Sequence, residues 1–262
     1  MPGDVVPSRY RFIPLTAGYA SMNMAVDEAL LLSYLNHFSP QTIRVYCWSR
    51  PSVTFGYRID PAAVDTSGCA ETDVVRRPTG GGVVYHCECA TVAMAGGVSS
   101  LEEWAGRNGL PRKRVNRSSL LYRAVNSVVG DALSALGVKN SLVPGSTSWN
   151  AGIDCFSNPC AYDIVGAGRK IYGAAQMRRG GAFLYQGNLL IEEGFDIDGF
   201  CELLREGLGA ALGWEIVEGE LSKEEKEEAQ RLCRVKYGSG DWNRLGRSPP
   251  GRPGRPEAGG PR

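Results

Sequence analysis

The chain has 262 residues, with 29 basic and 28 acidic side chains and a formal net charge of +1. That length buries one large core, and the balanced charge argues against a general nucleic-acid binder, which is usually basic. No apolar run approaches the ~20 residues that span a bilayer, and Met1-Pro2-Gly3-Asp4 lacks the basic-then-apolar pattern of a secretory signal, so a cytoplasmic protein is expected.

Residues 21–35 read as a helix, with Met22, Val26, Ala29 and Leu30 on one face at helical spacing. Ser33 continues that face, Asp27 lies at its edge and Glu28 on the far side. Residues 42–48 and 52–57 read as strands around Arg50-Pro51, 61–67 as a short helix, and 74–78, 83–85 and 90–95 as further strands. The clearest helix is 118–136, where Leu121, Val125, Val128, Ala132 and Leu136 form a stripe. Ser118 or Ser119 is its expected N-cap and Gly137 its stop. A strand-rich block covers 153–192, an apolar helix 200–212 and a charged helix 223–237. The six residues from Lys223 to Glu228 read as a solvated face. From Leu245 on, Arg, Pro and Gly dominate and no core can form. The expectation is a single domain at 1–244 and a disordered tail at 245–262. Its fold class is α+β, with mostly antiparallel sheets flanked by helices.

Eight cysteines are scattered along the chain and only two histidines, His37 and His86, are present. Free thiols are expected rather than a disulfide framework, and no metal site. Three constellations carry chemistry. The first is Arg76-Arg77-Pro78-Thr79-Gly80-Gly81-Gly82-Val83-Val84-Tyr85-His86. Three missing Cβ atoms let a ligand lie against backbone N–H groups, and the arginines favour an anionic or carbonyl-bearing guest. Alone, this reads first as a glycine-rich hairpin. The second is Gly168-Arg169-Lys170-Ile171-Tyr172-Gly173-Ala174-Ala175-Gln176, where small residues beside Lys170 permit close approach to its ammonium. The third is Asp154-Cys155-Phe156-Ser157-Asn158-Pro159-Cys160, a cysteine in a polar, turn-rich loop. A cation beside such a thiol favours the thiolate, which attacks a thioester or amide carbonyl to form an acyl-enzyme.

Together these stretches resemble the lipoate–protein ligase A / octanoyltransferase family, related in fold to biotin–protein ligases. Met24-Ala25-Val26-Asp27-Glu28-Ala29-Leu30 is similar to the family's first helix, and Pro51-Ser52-Val53-Thr54-Phe55-Gly56-Tyr57 to an early strand. The glycine segment resembles R-R-x-T-G-G-G-x-V-x-H at every fixed position, and the lysine segment resembles G-R-K-I-x-G-x-A-Q. Less specifically, Lys236-Tyr237-Gly238-Ser239-Gly240-Asp241-Trp242 resembles the C-terminal helix end. Cys155-Phe156-Ser157-Asn158-Pro159 looks like the C-F-x-x-P loop of a cysteine-dependent octanoyltransferase branch.

The resemblance implies that Cys155 accepts the acyl group and that Lys170 lowers its pKa and orients the carbonyl. It implies an acyl and pantetheine site formed by Arg76, Gly80, Gly81, Gly82, Val83, His86, Gly173, Ala175, Gln186 and Gly187. The implied reaction passes octanoyl from acyl carrier protein to Cys155, then to a lysine of a lipoyl domain, in glycine cleavage H protein or a 2-oxoacid dehydrogenase acyltransferase subunit. Neither ATP nor a metal is needed, and a monomer without nucleic-acid or membrane partners is expected. Two other activities belong to the same family: an amidotransferase moving octanoyl or lipoyl between lipoyl domains, and an ATP-dependent lipoate ligase. Many relatives have His-Gly where this chain has Gln186-Gly187, and glutamine does not titrate near pH 7. Cys87, Cys89 and Cys160 are rival nucleophiles.

Overall fold

The computed structural model describes residues 9–65, 72–107, 117–145, 147 and 155–245. Its strands are β1 (Arg9–Gly18), β2 (Gln41–Trp48), β3 (Ser52–Phe55), β4 (Asp73–Arg76), β5 (Val83–His86), β6 (Cys89–Gly97), β7 (Ser141–Leu142), β8 (Ile164–Gly166), β9 (Arg169–Arg179), β10 (Ala182–Leu190) and β11 (Glu215–Glu218). Its α-helices are α1 (Ala20–Leu35), α2 (Val98–Arg107), α3 (Arg117–Ala135), α4 (Ile197–Leu212) and α5 (Lys223–Leu232). A large sheet runs β11-β1-β2-β6-β10-β9-β8-β7 and a small one runs β4-β3-β5. β1 is parallel to β2 and β11, and β3 to β4; the other pairs are antiparallel. This is the expected α+β class.

Alternation along β10 sets the layers. Phe183, Tyr185 and Leu189 enter a core closed by α3 and α4, through Leu121, Val125, Leu204 and Leu208. Ala182 and Leu184 enter a second core against α1 and α5. Gln186 and Asn188 share that second face by the same alternation, which turns them toward the small sheet and α1.

Helix α1 is buried on more sides than its apolar stripe implied. Glu28, expected on the far side, is buried, because the C-terminal segment folds over it. Glu28 Oε2 accepts from Lys236 Nζ at 2.6 Å and from the Tyr237 hydroxyl at 2.7 Å. Glu225 likewise leaves the expected solvated face. Its carboxylate caps α5 by accepting from the Ser222 N–H at 2.7 Å, and it pairs with Arg11 at 2.6 Å.

Several boundaries differ from expectation. Strand β1 was not anticipated: Pro14 interrupts its pattern, and the β1/β2 register shifts between Ile13 and Thr16. Helix α2 and strand β11 were not anticipated either. Helix α3 begins at Arg117, so Ser118 and Ser119 lie inside it rather than at the cap. The expected helix at 61–67 is a single 3₁₀ turn, Pro61–Ala63, with residues 66 and 67 outside the described ones. The charged helix ends at Leu232 and continues as a π-helical turn, Cys233–Tyr237. Of the expected tail, Leu245 closes a second such turn, Asp241–Leu245, and the remainder lies outside the described residues. No helix among the described residues is long and apolar enough to cross a membrane.

Candidate active site

A narrow cleft opens between the small sheet and the α1 side of the large one. The small sheet supplies Thr54, Val84 and His86, and the large sheet Thr91, Ala175, Gln186 and Asn188. Cys155, Phe156 and Lys170 close one side.

The glycine loop is folded around Arg77. Its Nη2 donates to the carbonyls of Gly80 at 2.7 Å and Gly82 at 2.8 Å. Gly81 has φ +86°, and a Cβ there would lie 2.7 Å from Arg77 Nη2 and 3.4 Å from Cys155 Sγ. The Gly82 N–H donates to Cys155 Sγ at 3.0 Å, and the Cys155 N–H donates to the Val83 carbonyl at 3.0 Å. The glycines therefore seat a thiol, whereas the sequence suggested that their N–H groups would face a ligand directly.

Alternation separates the two arginines. Arg77 lines the cleft, and Arg76 points away from it. Arg76 is buried, and its guanidinium donates to the carbonyls of Trp242 at 3.0 Å, Tyr57 at 2.7 Å and Ile59 at 2.9 Å. Val83 also faces away, packing with Val53 and Phe55. Of the expected acyl-site residues, Arg76, Gly80, Gly81, Gly82 and Val83 are thus not on the cleft wall, and Arg77 and Val84 stand there.

Lys170 is buried at the cleft edge. Its ammonium donates to the Cys155 carbonyl oxygen at 2.9 Å and pairs with Asp163 at 2.8 Å, so its hydrogen bonds run to the backbone of Cys155 rather than to the sulfur. Gly173 makes room for this, because a Cβ there would lie 2.1 Å from Lys170 Cε. Gly187 serves the other face of the sheet: a Cβ there would meet the Tyr172 hydroxyl at 1.9 Å.

Gln186 is fixed at both ends. Its Oε1 accepts from the Thr79 hydroxyl at 2.7 Å and its Nε2 donates to Asp27 at 2.6 Å. Asp27 also pairs with Arg44 at 2.8 Å and accepts from the Tyr46 hydroxyl at 2.9 Å. Burial raises the pKa of Asp27, against the pull of Arg44 and the donors around it. Gln186 thus ties the loop residue Thr79 to α1, a task that needs an amide and no titration.

His86 stacks on Trp48, ring centroids 3.7 Å apart. Burial and then the Arg77 charge push its pKa down to about 3, so the ring is neutral. Nδ1 faces Asn188 Oδ1 at 3.0 Å, and Nε2 faces the Thr54 hydroxyl at 2.8 Å.

The rival thiols sit in other settings. Burial and the Asp163 carboxylate 3.1 Å away push Cys160 up to about 12. Burial pushes Cys89 up to about 12. Cys87 is exposed. Among the described residues, no group of three or more His, Cys, Asp or Glu could hold a metal ion.

Sequence reasoning did not single out Asp27, Thr54, Asp163 or Asn188 for the site. Asp27 had one signal, a carboxylate inside an otherwise apolar helix. Asp163, Thr54 and Asn188 had none, since their roles depend on which strands become neighbours.

A cleft between a large and a small sheet, floored by small residues and edged by a lysine, sits on a fold similar to that of lipoate protein ligases. The chain superposes on a Thermoplasma acidophilum candidate lipoate protein ligase solved with bound lipoic acid, with TM-score 0.71 at 22% identity over 91% of this chain and 100% of that one. A family model described as the lipoyl protein ligase A/B catalytic domain matches residues 19–95. The octanoyltransferase LipM of Carboxydothermus hydrogenoformans is 27% identical over 89% of this chain and 97% of its own length. That of Kyrpidia tusciae is 29% identical over 89% and 98%. In sequence the chain is thus similar to the lipoate–protein ligase A / octanoyltransferase family.

Proposed function

We propose that the chain is an octanoyltransferase that carries the acyl group on Cys155 and delivers it to a lysine of a lipoyl domain. Curated relatives matching nearly end to end are octanoyltransferases, which supports the activity. The observation that carries the choice of nucleophile is the seat of Cys155: a half-buried thiol on the cleft wall, accepting the Gly82 N–H, with Lys170 anchored on its own carbonyl.

In this reading the Cys155 sulfur attacks the thioester carbonyl of an octanoyl acyl carrier protein. The carbon–sulfur bond to Cys155 forms, the bond to the pantetheine sulfur breaks, and the thiol proton leaves with the departing carrier. A lysine amine of the lipoyl domain then attacks the new thioester. An amide forms and the Cys155 thiol is regenerated. Thioester exchange is nearly isoenergetic and amide formation is downhill, so the reading calls for no nucleotide and no metal. Each methylene placed in an apolar slot gains ~0.8 kcal/mol, which favours a chain of matching length.

The test is an intact mass after incubation with octanoyl-carrier protein and no ATP. The reading expects an adduct of about 126 Da that is absent from Cys155→Ser. No adduct, or one that survives the substitution, overturns it. Parallel tubes with an octanoylated lipoyl domain as donor, or with free lipoate and ATP, distinguish amidotransferase and ligase activities.

A further inference from the structure

Asn188 Nδ2 has no geometric hydrogen-bond partner, and its one other influence is on the neighbouring Cys89 thiol, whose pKa the amide pulls down against burial. The residue is 6% exposed and lines the same cleft as Cys155, yet its Nδ2 has no partner. A buried amide left unpaired is destabilising, so one at a cleft wall points to a ligand atom.

Its orientation is fixed by its neighbours. The Trp48 indole N–H donates to Thr91 Oγ1 at 3.2 Å, leaving the Thr91 hydroxyl proton for Asn188 Oδ1 at 3.2 Å. Arg77 Nη1 donates to Thr54 Oγ1 at 3.3 Å, which leaves the Thr54 proton for His86 Nε2 and makes Nδ1–H the second donor to Asn188 Oδ1. With Oδ1 held by two donors, Nδ2 is the amide atom left for a ligand in the cleft that Asn188 lines.

Its position is fixed by the sheet. Asn188 is the ladder partner of Gly173, and directly opposed residues share a face with Cβ positions about 5 Å apart. The point above Gly173 is occupied by Lys170, whose Nζ lies 2.4 Å from where a Cβ would be. Lys170 spends two of its three protons on the Cys155 carbonyl and Asp163. Two donors, one on Lys170 and one on Asn188, therefore flank the same side of the cleft beside the nucleophile.

An octanoyl thioester has one strong acceptor, its carbonyl oxygen; the methylenes offer none. Resting on the octanoyltransferase reading, we propose that Asn188 Nδ2 binds this oxygen and, with Lys170 Nζ, holds the oxyanion. When the Cys155 sulfur bonds to the carbonyl carbon, the π pair moves onto oxygen and both donors hold it. When the carbonyl re-forms, the pair returns and the carrier sulfur leaves. Asn188 is then a catalytic residue, and the chain Thr54–His86 and Trp48–Thr91 positions it.

The test uses the full chain acylated with octanoyl-carrier protein carrying ¹³C at the carbonyl. Wild type and Asn188→Ala are compared for acylation rate, for the carbonyl stretch of the isolated acyl-enzyme, and for iodoacetamide alkylation of Cys155, which forms no oxyanion. Loss of one such donor costs about 100- to 1000-fold in acylation. The expected result is that loss, with alkylation unchanged and the carbonyl band moved to higher wavenumber. Asn188→Asp, which keeps the acceptor for His86 and Thr91, gives the same band shift if the alanine variant does not fold. An unshifted band overturns the proposal, whether acylation is unchanged or falls together with alkylation. A wild-type protein that never acylates at Cys155 overturns the octanoyltransferase reading and this inference with it.

Discussion

The Gly82 N–H points at the Cys155 sulfur across 3.0 Å, joining two segments 73 residues apart. The glycine hairpin is thus part of the thiol's seat. The Gly80 and Gly82 carbonyls are held by Arg77 and the Gly82 N–H by the sulfur, yet Gly80 and Gly81 differ in whether a side chain could be added.

That difference predicts unequal tolerance. A Cβ on Gly80 meets nothing within 4 Å, whereas one on Gly81 meets Arg77 at 2.7 Å from a backbone with φ +86°. Gly80→Ala is expected to melt and acylate like wild type. Gly81→Ala is expected to lose about 1–2 kcal/mol from backbone strain alone and to displace Arg77 or Cys155. Thermal melts and adduct formation check both; equal behaviour of the two variants contradicts the geometry.

Thiol labelling provides a second check. Cys89, Cys160 and Cys201 are each pushed up to about 12, burial being the first cause in every case. At pH 7.5 such a thiol is ionised to about one part in thirty thousand. Limited iodoacetamide treatment followed by peptide mapping is expected to label exposed Cys87 and cleft-facing Cys155 well before those three. Labelling of Cys160 as fast as Cys155 contradicts the assignment of their environments.

The fold class and three site segments were legible in the sequence because each is a local pattern. The stripe of α3, the alternation of the sheet strands and the G-R-K-I and glycine runs need only neighbours along the chain. What was not legible depends on distant partners. Glu28 and Glu225 carry charge in helices and read as solvated, yet Lys236 and Arg11 arrive from elsewhere to bury them. Arg76 and Arg77 read alike, and only the pairing of β3 with β4 decides which faces the cleft. Asn188 had no sequence signal, since its role comes from facing Gly173 across a ladder.

Glu225 makes stability depend on pH. Burial alone would raise its pKa, but hydrogen bonds from Arg11, Ser39 and the Ser222 backbone overcome this and hold it below its ordinary 4.5. A depressed folded value contributes stability that is present above about pH 4.5 and lost as pH falls through it and below. The difference in Tm between wild type and Glu225→Gln is therefore expected to be largest near pH 7 and to shrink as the pH is lowered past 4.5. A difference that stays constant from pH 7 to pH 3.5 contradicts this origin.

The two adjacent arginines are expected to fail in different ways. Arg76 secures the C-terminal segment: its guanidinium holds the Trp242 carbonyl, and the Trp242 indole N–H returns to the Arg76 carbonyl at 2.7 Å. Hydrogen bonds to a charged group contribute about 1.5–3 kcal/mol, so Arg76→Met should lower Tm by about 3–10 °C in a chain of this size. The folded fraction should still form the octanoyl adduct, because Arg76 does not reach the cleft. Arg77 holds the Gly80 and Gly82 carbonyls, and with them the N–H that seats the sulfur. Arg77→Met should therefore suppress adduct formation even in protein that remains folded. Circular dichroism melts paired with intact-mass assays separate the outcomes. Adduct loss in Arg76→Met at a temperature well below its midpoint, or normal acylation in Arg77→Met, contradicts the division between the clamp and the seat.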